Sequence, residues 1–155
     1  MNNSRIGLLR RHNAAASFTR DWLFAGSTAT VLSAIPSTVY SILTGADVLA
    51  PTRAAGRMLV SAGATEVELF IAAALVHTAV SFFWAALLIF VLPRKHVTFW
   101  SVIAAALIGV LDLRIIAPLF FPEVAALAFW PQMADHVMWG ASFGVALACL
   151  WRARR

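Results

Sequence analysis

Charge is what this sequence has least of. Lys, Arg, Asp and Glu supply 12% of its 155 residues, against about a quarter in an ordinary soluble domain. Cysteine is nearly absent: the single Cys149 excludes an intrachain disulfide and a cysteine-based metal site. No segment alternates strictly between apolar and polar residues, so the strands of a membrane β-barrel are not described. No phosphate loop, dinucleotide fingerprint or nucleophile–base set is present, and an enzyme is not expected. A period of repeat-protein length is missing as well.

What is present is apolar length. Hydrophobic residues make up 61% of the chain, gathered in runs over residues 22–43, 67–92, 97–121 and 132–151. Each run has about 20 residues or more, which at ~1.5 Å rise per residue covers a hydrocarbon core ~30 Å thick. Helices satisfy their own backbone groups in lipid. The expected fold is therefore all-α: a polytopic membrane protein, a four-transmembrane-helix bundle forming a single membrane domain over residues 1–155. The punctuation agrees. Pro93, Arg94, Lys95 and His96 make a tight basic turn, Pro122 ends the third run, and Pro131 suits the first turn of the fourth. Pro36 falls inside the first run and should kink it, with Ser33 and Ser37 beside it to serve the freed backbone groups.

The basic residues orient this bundle. Arg5, Arg10, Arg11 and Arg20 precede the first run, Arg94 and Lys95 separate the second from the third, and Arg152, Arg154 and Arg155 follow the fourth. With four spans all three groups share one side, which puts both termini in the cytoplasm. Trp22, Trp100 and Trp151 fit an aromatic belt on that side and Trp130 one on the other. The net charge of +5 is accounted for by topology, and scattered helix-end cations do not indicate nucleic acid. The first run is too long for the apolar region of a signal peptide, so it is read as an uncleaved span. Residues 50–63, with Arg53 and Arg57, suit either a short interfacial helix whose arginines reach headgroups or an ordered loop. Residues 123–130 suit an interfacial or re-entrant piece or a loop.

Ionisable residues inside the runs are the candidates for function. They are His77 in the second run, Asp112 and Arg114 in the third, and Asp135 and His136 in the fourth. Helical rise places all five in the outer half of the membrane or near its middle. Isolated groups of this kind are unfavourable in lipid and are normally paired or facing water. Matching depths suggest Asp112 with His77, and Arg114 with Asp135 or Glu68. One alternative is a proton-responsive or solute-passing cluster, with histidine titrating near neutrality. The other is a buried network that only fixes helix register. His77 and His136 differ by ~8 Å in depth, which speaks against a shared haem. No cofactor and no metal are expected. Gly26, Thr30, Ser33, Ser37 and Ser41 form a small hydroxylated face, and Gly140 and Gly144 a spacing suited to close helix packing.

The order of these features resembles the YagU-like family of small bacterial inner-membrane proteins. The matching residues begin with Arg53 to Gly56, then His77 with Ser81, and the Pro93 to Lys95 turn followed by Trp100. A Trp130–Pro131 segment, a last helix bearing His136 and a basic tail complete the series, from about residue 50 to the end. The resemblance implies a multi-pass inner-membrane location and a link to acid tolerance, but no biochemical activity. Partners are then the lipid bilayer and a homo-oligomer or other membrane subunits, since 155 residues are few for a transporter. Against the cluster reading stands a structural or assembly subunit of a membrane complex.

Overall fold

The computed structural model describes residues 3–154, with side chains from residue 16 onward. The side chains of Arg5, Arg10 and Arg11, and the whole of Arg155, part of the basic flank read above, lie outside the described residues. Every element among the described residues is helical: α1 (Asn3–Leu32), α2 (Ile35–Thr44), α3 (Ala50–Gly56), α4 (Glu66–Val91), α5 (Val97–Leu111), α6 (Ala117–Phe120), α7 (Pro122–Ala125) and α8 (Phe129–Arg152). A π-helical turn, Asp112–Ile116, joins α5 to α6 without a break. Among the described residues, three helices are long and apolar enough to cross a membrane: Glu66–Val91, Val97–Phe120 and Phe129–Arg152.

The first apolar run is not one helix. It is shared between the end of α1 and α2, which part at Ser33 and Ala34. Pro36 is the cause: it has no N–H to continue the ladder and its ring crowds the preceding turn. It sits in the first turn of α2, where that defect is harmless. Pro118 has a related effect in the third run. Unable to donate to the preceding turn, it is preceded by a widened turn in which the Ala117 N–H bonds to the Asp112 carbonyl.

Sharp boundaries follow from local chemistry. Thr65 caps α4 in a reciprocal box with Glu68, whose carboxylate accepts from the Thr65 backbone N–H at 2.7 Å. Glu68 is thus committed to its own helix end and does not serve Arg114. His96 takes a left-handed conformation, φ 58°, to turn the chain into α5. α8 starts at Phe129, taking Phe129 and Trp130 from the segment read as interfacial.

α8 is the hub, packing against α1, α2 and α5, while α4 packs against α1 and α3. The contacts are close because small residues line them. A Cβ on Gly140 would lie 2.5 Å from the Ser101 carbonyl oxygen, and one on Gly144 2.6 Å from Thr98 Cα. The core between the helices is built from Ala25, Ala29, Ala85, Ala105, Phe143 and Leu147. Outward-facing positions carry Leu75, Phe83, Phe90, Leu107 and Leu119, all well exposed. An apolar perimeter around a core of small residues is the pattern expected of helices whose solvent is lipid. α4 and α5 are neighbours in sequence yet make little contact, so a gap remains between them.

Candidate functional site

That gap is a cleft of about 380 Å³, bounded by α2, α3, α4, α5 and α8. His77, Asp112, Asp135 and His136 all line it. Arg114 does not. Its guanidinium lies over the Phe129 ring, 4.0 Å from the centroid, on the exposed side of the widened turn. The cation–π contact replaces the carboxylate pairing that depth alone suggested.

The polar groups are held by three separate contacts. At the break between α1 and α2, the Ser37 backbone N–H donates to Asp135 Oδ1 at 2.8 Å. A helix start presents N–H groups with no partner in their own helix, so the carboxylate of α8 acts as a cap from outside. On the other side of the same break, His77 Nε2 donates to the Thr30 carbonyl oxygen at 3.0 Å, with the Ser33 hydroxyl 3.3 Å away. Ser33, Ser37 and Ser41 are buried, so the small hydroxylated face does turn inward. The third contact joins His136 Nε2 to Asp112 Oδ2 at 3.3 Å. Asp112 therefore pairs with His136 and not with His77: equal depth did not mean adjacency, because α4 and α5 stand apart.

His136 is fixed by both its nitrogens. Nδ1 donates to the Gln132 carbonyl oxygen at 2.9 Å. A carbonyl only accepts, so Nδ1 carries hydrogen. A neutral imidazole has one N–H, which leaves a lone pair on Nε2 facing the Asp112 oxygen. Attraction across that contact requires a further proton, on Nε2 or on Oδ2. The pair is thus a seat for one proton. Gly109 lets α5 come close to His136: a Cβ there would lie 3.0 Å from the Cβ and Cγ of His136. Trp139, also on the cleft, is buried and its indole N–H has no partner among the described residues. A buried N–H left unmatched is uncommon and marks a place where an acceptor is favoured.

The connection from α2 to α4 is tied by carboxylates. α3 leans on α4, with Gly56 against the Leu69 backbone. Arg53 pairs with Glu66 at 2.9 Å and Asp47 at 2.5 Å, and Arg57 with Glu123 at 3.7 Å. The hydrogen bond with Glu66, joined by the Asp47 charge, raises the Arg53 guanidinium above its ordinary value. These arginines hold protein to protein through ion pairs.

One acid escaped notice in the sequence. Asp21, buried at the far end of the bundle, accepts from Trp151 Nε1 at 3.0 Å and is ion-paired with Arg154. It fastens α1 to the end of α8. Its signal was its position, one residue before the first apolar run, opposite a basic tail. Comparison with protein-family models, curated proteins and solved structures returned no match.

Proposed function

We propose that the chain is a non-enzymatic, multi-pass membrane protein that takes up and releases a proton at His136–Asp112 and admits protons or a small polar solute to the cleft. In this reading α1 and α2 cross together as a fourth, interrupted span, and both termini are cytoplasmic in a bacterial inner membrane. The resemblance to the YagU-like family supports that location and a role in acid stress. The observation that carries the proposal is His136, whose two nitrogens both face oxygen, one of them an acceptor carboxylate. Two further features support it. The site borders an open cleft, and it adjoins an interrupted helix, the arrangement by which membrane proteins bring polar backbone to a binding site.

A second reading, an assembly subunit, draws on Asp135–Ser37 and on Gly140 and Gly144, which fasten helices and need no ligand. Liposomes with an internal pH dye separate the two. The wild type should move protons down an imposed gradient, or change Trp fluorescence with pH. His136→Phe and Asp112→Asn, shown to be folded, should do neither. Folded variants that behave as the wild type would sink the proton reading and leave the assembly one.

A further inference from the structure

A second cavity lies at the opposite end of the bundle, of about 600 Å³, between the α4–α5 turn and the end of α8. Five basic side chains line it: Arg94, Lys95 and His96 from the turn, Arg152 from α8 and Arg154 just beyond it. Of the seven acidic side chains in the chain, only Asp21 belongs to this end, and Arg154 and Trp151 already engage it. Arg94 lies over the Trp151 ring, 5.6 Å from the centroid. Lys95 and Arg152 have no carboxylate partner among the described residues. α5 starts in the same cavity, through Val97 and Thr98, with no side chain capping it. Phe99, Ala148 and Trp151 supply an apolar wall beside the charges.

Concentrated positive charge without internal compensation favours an anion, and clustered donors of this kind suit phosphate oxygens. Basic pockets between membrane helices take anionic headgroups for this reason. We infer that this cavity binds the phosphate of an anionic lipid, with the acyl region against Phe99 and Trp151. Free phosphate shares the charge chemistry but gains nothing from the apolar wall. The site is separate from the cleft, and its failure would leave the His136 reading untouched.

Thermal unfolding of the full chain in neutral detergent tests this. Added phosphatidylglycerol should raise the midpoint, while phosphatidylcholine and inorganic phosphate should not. The double variant Lys95→Gln, Arg152→Gln should lose most of the rise, and Arg152→Lys should keep it. An equal rise with phosphatidylcholine, or an unchanged rise in the double variant, would overturn the site. An equal rise with inorganic phosphate would overturn the lipid as its ligand. If the double variant does not fold, native mass spectrometry of the unaltered chain from mixed micelles decides. Preferential retention of phosphatidylglycerol supports the site, and equal retention of both lipids removes it.

Discussion

Asp135 of α8 caps the start of α2 through the backbone N–H of Ser37, a contact across 98 residues of chain. The carboxylate answers a donor that Pro36 and the helix break leave without a partner. Asp135→Ala should therefore lower stability by about 1–3 kcal/mol, the cost of an unmatched buried donor. Asp135→Asn keeps an acceptor oxygen and should lose less. Thermal or denaturant unfolding in detergent compares the two; equal losses would mean that the charge and not the acceptor matters.

Close approach of α5 and α8 depends on Gly140 and Gly144. Gly144→Leu should force the helices apart and cost about 1–3 kcal/mol, as overpacking does elsewhere. Gly140→Ala should already be felt, since the added carbon would meet the Ser101 backbone. An unchanged midpoint for both would show that this seam yields freely.

The buried charge worth testing by a double-mutant cycle is Asp21, not Arg114. Among the described residues, Arg154→Leu leaves Asp21 with the Trp151 indole, and Asp21→Leu leaves that indole without an acceptor and Arg154 with only the Ser17 carbonyl at 3.5 Å. The double variant should recover part of the loss, with a coupling of about 0.5–3 kcal/mol. Arg114→Leu, which removes only an exposed contact with Phe129, should have a small effect on stability. A large loss at Arg114 would mean that it has a partner besides that ring.

Topology is open to direct reading. A reporter after Arg155 should be active only in the cytoplasm, and one inserted near Ala50 only outside. A cytoplasmic signal from Ala50 would overturn the crossing of α1 and α2.

Helix positions were readable in the sequence because length, apolar content and proline decide them locally. The helices found from Glu66, Val97 and Phe129 start within a few residues of the runs read as spans. The pairing of polar residues was not readable. Depth was counted along ideal helices, whereas Pro118 widens a turn at Asp112 and Arg114. Depth is also silent on which helices touch. His77 and Asp112 fail to meet because α4 leans on α1 while α5 leans on α8. Pro36 was the strongest local clue to the site, since it announced free backbone groups beside it: the Ser37 N–H is taken by Asp135, and the Thr30 carbonyl by His77.

The break at Ser33 and Ala34 also sets an order of assembly. The backbone ladder is incomplete where α1 gives way to α2, and the carboxylate that answers it lies on α8, 98 residues further along. Until α8 is made, the Ser37 N–H lacks that partner. The join between α1 and α2 is thus provisional, and α8 makes it permanent. Chains truncated before Asp135 should hold α2 less firmly against α1.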